Sequence, residues 1–99
     1  MTKRDLVVKI AKETGNIQKN VADIVQMTLD YLSEELVKGK TIELRNFGVF
    51  EIKVRKSRKG RNPNKPEDEV IIPKRCVVKF RAGKELKEEV EALNPKKFQ

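Results

Sequence analysis

Residues 58–69 read RKGRNPNKPEDE: three cations around a glycine, then Asn-Pro, a second proline and three consecutive acids. Nothing in this stretch can enter a core, yet strand-like runs flank it on both sides. Upstream, Ile42 and Leu44 alternate with Glu43 and Arg45, and Phe50, Ile52 and Val54 alternate with Glu51, Lys53 and Arg55. That period of two belongs to half-buried strands. Downstream, Val70, Ile71 and Ile72 lead through Pro73, which a strand accepts at an edge or bulge, into a returning run over 76–80. Pairing the runs predicts a long β-hairpin whose outer part has no core to cover. Between the first two strands, Asn46, Phe47, Gly48 and Val49 read as a tight turn. Gly48 is free to take positive φ there, and Asn46 is among the residues that tolerate it. Cys76 opens the returning run and is expected to be a small core residue.

Working outward, the period changes to that of helices. Thr2 can cap a helix, with Asp5 completing a capping box, Leu6 and Ile10 on one face and Val7 and Ala11 beside it. Gly15 suits its stop. A second helix is predicted over 18–38, where Val21, Val25, Leu29, Leu32 and Leu36 form an apolar stripe, core or dimer seam, before Gly39 ends it. At the other end Gly83 opens a short helix with Leu86, Val90 and Leu93 on one face, and Asn94-Pro95 stops it. The expected class is α+β in one domain, 1–99. A helical hairpin occupies 1–39, and a three-stranded antiparallel sheet with an extended arm at about 54–78 occupies 40–82. The last helix spans 83–94, and a loose tail is expected over 95–99. Phe47, Phe50 and Phe80 fall on the apolar side of their strands and are expected in the core.

Composition adds a constraint on size. Hydrophobic residues make up 37% and charged residues 38% of 99 residues, so a chain with a polar arm has few apolar groups left to offset the entropy of ordering the rest. A partner subunit would repair that deficit. No run of about 18 apolar residues is present, and the N-terminal MTKRDLVVKI carries charge where a secretion signal needs its apolar stretch. A single cysteine cannot close an internal disulfide. These features set the expectation of a cytoplasmic protein.

Charge is confined. Residues 1–52 hold eight basic and eight acidic side chains, and residues 82–99 hold four of each. The segment 53–81 carries eleven Lys/Arg against Glu67, Asp68 and Glu69, and so contains the whole net charge of +8. Lys53, Arg55, Lys56, Arg58, Lys59 and Arg61 place six cations in nine residues. An extended strand rises about 3.3 Å per residue, close to the phosphate spacing along one DNA strand, so such an arm can follow a nucleic-acid backbone. Near the tip, Gly60 permits a bend, Arg61 suits a narrow minor groove, and Asn62 can bond base-edge acceptors. Pro63 offers a rigid apolar ring suited to wedge between base pairs.

Taken together, Phe47-Gly48-Val49-Phe50, then Arg55, Arg58, Gly60, Asn62 and Pro63, then Phe80-Arg81-Ala82-Gly83-Lys84 with Leu86, resemble the HU and integration host factor family of bacterial DNA-bending proteins over nearly the full length. The resemblance implies an intertwined dimer whose two arms embrace duplex DNA, either as a homodimer or with a related chain. It implies Pro63 as the intercalating wedge and Arg61 and Asn62 in the minor groove. Arg55, Lys56, Arg58, Lys59, Lys65, Lys74, Arg75 and Lys79 would then serve phosphates, and Lys3, Arg45 and Lys84 would lie near flanking DNA from the body. The chain departs from the family pattern in three places. Asn46 stands where glycine is usual, Lys65-Pro66 stand where threonine and glycine are usual, and NKPEDE is one residue longer. Glu67, Asp68 and Glu69 are expected to point away from phosphate.

Other functions find little support. The chain has no histidine, its lone cysteine has no base, and no glycine-rich phosphate loop occurs, so enzymatic chemistry, a cofactor and a metal site are not expected. The alternative from another class is a basic RNA- or ribosome-associated protein using the same arm. Attachment to an anionic membrane is disfavoured because the basic segment alternates instead of forming an amphipathic helix.

Overall fold

The computed structural model describes residues 1–62 and 65–98, with side chains over 1–60 and 69–98. The chain divides into a helical unit, Met1–Lys38, and a sheet unit that begins at Gly39. In the first, α1 (Lys3–Thr14) starts on the expected capping box: Asp5 N donates to Thr2 Oγ1 at 3.2 Å and Thr2 N donates to Asp5 Oδ2 at 3.1 Å. Helix α1 stops at Gly15, and α2 (Gln18–Val37) ends on Lys38 just before Gly39.

The core of this hairpin is small. Val7, Ala11 and Val21 are buried, with Ile10, Ala22 and Val25 packed against them. The stripe on α2 continues past that cluster, but Leu29 is 43% exposed and Leu32 and Leu36 are only half-buried. The physical reason is length. Twelve residues of α1 span about 18 Å and cannot cover the roughly 30 Å of a twenty-residue α2 at 1.5 Å per residue.

In the sheet unit, β1 (Ile42–Leu44), β2 (Gly48–Arg55) and β5 (Arg75–Ala82) form an antiparallel sheet in the order β1-β2-β5. Its register sets Ile42, Leu44, Phe50, Ile52, Val54, Cys76, Val78 and Phe80 on one face. Strands β3 (Arg58–Asn62) and β4 (Lys65–Ile72) form a separate two-stranded antiparallel ladder, the expected arm, and Pro73-Lys74 break the return strand into β4 and β5. Helix α3 (Lys84–Glu91) follows Gly83, whose amide donates to the Phe47 carbonyl at 2.8 Å. Among the described residues, no helix is long and apolar enough to cross a membrane.

Several expectations are corrected. Asn46 does adopt the left-handed conformation, with φ 69°, but Gly48 does not; it lies inside β2 and is buried. Its role is close approach, since a Cβ there would stand 2.5 Å from the Arg81 carbonyl oxygen and 2.6 Å from the Phe80 ring. Gly60 likewise makes no left-handed bend but pairs with Val70 in the arm, with the Ile72 side chain in contact range of where its Cβ would be. Phe47 and Phe80 are 49% and 40% exposed and Phe50 is half-buried. The three rings pack on one another, with Phe80 centred 5.3 Å from Phe47 and 4.8 Å from Phe50. They form a satellite cluster, not a buried core. Cys76 is exposed, paired with Val54, which is itself 55% exposed toward the arm end of the sheet. In the tail, Asn94 accepts from Lys96 N and caps a 3-10 turn, Pro95–Lys97, so this segment has local structure.

Candidate nucleic-acid interface

The charge pattern acquires geometry where the sheet passes into the arm. Strand register places Arg55 directly opposite Arg75. Like charges across an antiparallel pair are destabilising, and here Lys56 and Arg58 add to them. These four cations, with Val77 and Val78, line an open cavity of about 520 Å³ without an acidic residue. An anion seated there would relieve their mutual repulsion.

The polar face of the sheet extends this surface. It carries Glu43, Glu51, Lys53, Lys79 and Arg81 in alternation with the apolar face. Glu51 is held between two cations, Lys53 Nζ at 3.7 Å and Arg81 Nε at 3.5 Å. On the arm, Lys59 Nζ lies 3.6 Å from Glu69 Oε2, and Glu69 is the register partner of Arg61. Glu69 therefore sits on the arm beside the cations. By contrast, Arg45, Arg55, Lys56, Arg58, Lys74, Arg75, Lys79 and Lys84 are all exposed, and among the described residues none forms an ion pair. Lys84 is the first residue of α3, whose Gly83 cap provides no side-chain acceptor, leaving amides at that end for an anion. Lys3 lies in the helical unit, where its ammonium donates to the Gln26 side chain.

The tip is described through its backbone. Asn62 pairs with Lys65 and Arg61 with Glu69, so three residues of β4, 66–68, fall between consecutive pairs. That irregularity coincides with the lengthened NKPEDE segment. Pro63, the expected wedge, lies outside the described residues, as do the side chains of Arg61, Asn62, Lys65, Glu67 and Asp68. Sequence reading missed the Glu51 cluster and the Arg55–Arg75 opposition. Alternation signals which residues share a face of one strand, but not which residue on another strand stands opposite.

Comparison with known proteins gives the same reading. The model of the bacterial DNA-binding protein family matches residues 1–91. The chain belongs to this family. It is 44% identical over 92 residues to integration host factor subunit beta of Dechloromonas aromatica, covering 92% of this chain and 97% of that one. It is 40% identical over 91 residues to DNA-binding protein HU of Thermotoga maritima, covering 92% and 100%. Among solved structures, a chain of the Anabaena HU–DNA cocrystal structure matches with TM-score 0.84 at 33% identity, covering 94% of this chain and 100% of that one. The HU mutant V42I from Thermotoga maritima matches with TM-score 0.66 at 36% identity, covering 91% and 99%. As a member of the HU and integration host factor family, this chain is an architectural, histone-like protein that binds and bends DNA, and it is not an enzyme.

Proposed function

We propose that two copies of this chain, or one copy and a related chain, form an intertwined dimer whose paired arms grip the minor groove of duplex DNA. Pro63 of each arm wedges into a base step, Arg61 and Asn62 line the groove, and Arg55, Lys56, Arg58, Lys59, Lys65, Lys74, Arg75 and Lys79 contact phosphates. Lys3, Arg45 and Lys84 touch the flanking duplex. The bend serves nucleoid compaction in the cytoplasm and the assembly of recombination, replication or transcription complexes. Dimer formation accounts for the exposure of Leu29, Phe47, Val78 and Phe80, apolar groups that a solvated monomer would leave in water.

The observation that carries this reading is the acid-free cluster of Arg55, Lys56, Arg58 and Arg75 at the root of the arm. Bending a site of 20–30 base pairs costs on the order of 1–6 kcal/mol, and unstacking a step adds roughly a few more. Many phosphate contacts must offset that cost. The test is a fluorescence energy-transfer assay on an end-labelled duplex. Pro63→Ala is expected to reduce the bend while changing affinity for linear duplex far less, and an unchanged bend would remove the wedge from the mechanism. Equal affinity for RNA helices and for nicked duplex DNA would favour an RNA-binding role instead.

A further inference from the structure

The arm joins the sheet through a short unpaired joint. The β2–β5 ladder ends with Arg55 opposite Arg75, and the β3–β4 ladder begins with Arg58 opposite Ile72. Lys56-Ser57 on one side and Pro73-Lys74 on the other belong to neither ladder. Ser57 is therefore exposed on chain free of strand pairing, with Arg55 and Lys56 before it and Arg58 and Lys59 after it. Three of those four neighbours belong to the acid-free cluster at the arm root. Its hydroxyl is also uncommitted. The chain has six serine and threonine residues. Thr2 caps α1, and the hydroxyls of Thr14, Thr28 and Ser33 donate to the carbonyls of Ile10, Ile24 and Leu29 at 2.7, 2.8 and 2.9 Å. Among the described residues, the Ser57 and Thr41 hydroxyls make no such bond. Thr41 stands apart from the cluster, since it precedes β1, which pairs only with Gly48–Phe50 of β2.

We propose that Ser57 is a phosphorylation site for a serine kinase that selects cations on both sides of its target, and that phosphate there releases the arm from DNA. The proposal rests on the reading of the arm root as a phosphate-binding surface. In the transfer, Ser57 Oγ forms a bond to the γ-phosphorus of ATP while the bond from that phosphorus to the β-phosphate oxygen breaks. ADP leaves, and the hydroxyl proton passes to the kinase's catalytic base. The product carries a charge of about −1.5 to −2 at pH 7 and three strong acceptor oxygens. Arg55, Lys56, Arg58 and Arg75 lack an acidic partner in the free protein, so a phosphate tethered among them gains charge-assisted hydrogen bonds and relieves their repulsion. It thereby occupies cations that would otherwise hold the DNA backbone. Stability is kept or raised while binding is lost.

The test compares the full-length protein with and without phosphoserine at position 57, installed during synthesis, on a labelled duplex of about 30 base pairs. The phosphoprotein is expected to bind at least about tenfold more weakly at about 0.1 M salt and to melt at the same temperature or higher. The difference should widen between about pH 5.5 and 7.5, because the phosphate loses its second proton near pH 6. Phosphothreonine at Thr41, equally charged but away from the cluster, should change affinity by no more than about twofold, as should Ser57→Ala. A purified serine kinase of the stated preference, given ATP and magnesium, should label the free protein but not Ser57→Ala, and saturating duplex should suppress the labelling. Unchanged affinity of the phosphoprotein would overturn the proposal. So would an equal loss from phosphate at Thr41, which would reduce the effect to net charge, a fall in melting temperature with the loss, or labelling that spares Ser57. Failure of the unmodified protein to bind the duplex would instead refute the DNA-binding role of the arm root.

Discussion

Of the glycines in the sheet unit, Gly48 is the one where an added methyl group meets its neighbours most closely. An added Cβ would meet backbone, the Arg81 carbonyl at 2.5 Å, and backbone cannot swing away as a flexible side chain can. Gly48→Ala is therefore expected to destabilise the protein by about 1–3 kcal/mol in urea unfolding, the usual cost of overpacking. Asn46, two residues earlier, holds the left-handed conformation, and it can do so because its short polar side chain tolerates φ 69°. The capping box at the start of α1 is a third local device. Removing the hydroxyl in Thr2→Ala should cost about 0.5–2 kcal/mol, visible in thermal unfolding followed by circular dichroism.

At the scale of elements, the arm root shows stability and binding opposed. Arg55 and Arg75 face each other across β2 and β5 with Lys56 and Arg58 beside them. Arg75→Gln should leave the free protein as stable as the parent or up to about 1 kcal/mol more stable, because a like-charge cross-strand pair is removed. The same change should weaken duplex binding. With about eight phosphates neutralised, log affinity is expected to fall with log salt at a slope near −7, by the rule of about −0.9 per contact. Substituting Arg55, Lys56 and Arg58 together by Gln removes six cations from a homodimer and should make that slope shallower by about 5, as measured in titrations across salt concentrations. A parent slope near −2 would leave too few contacts to hold a bent duplex. Glu69, paired with Lys59, makes the arm less cationic than its lysine and arginine count implies, though an exposed pair of this kind contributes little to stability.

For the whole molecule, the apolar groups still in water govern the expected assembly. Val7, Ala11 and Val21 make up the buried hydrophobic cluster, while Leu29, Phe47, Val78, Phe80 and Val90 are each at least 40% exposed. Sedimentation equilibrium at micromolar concentration is expected to give twice the 11.4 kDa chain mass, and the melting temperature should rise with protein concentration; a stable folded monomer would contradict the dimer. What the sequence determined by itself is local. Thr2 with Asp5 starts a helix, Asn46 turns the chain, Pro73 breaks a strand, and six cations within nine residues mark the arm, because each depends on neighbours within a few positions. The family was legible for the same reason, through short runs such as Phe47-Gly48-Val49-Phe50. What only tertiary structure decided is who meets whom: Gly48 against Arg81 and Phe80, Arg55 against Arg75, and Glu51 beside Arg81. Strand alternation repeats every two residues, so it assigns faces but not partners, and a register slip of one residue would exchange every face. The β2–β5 pairing, which sets Gly48 against Ala82 and Arg55 against Arg75, joins positions twenty or more residues apart in the chain, and no local pattern carries that information.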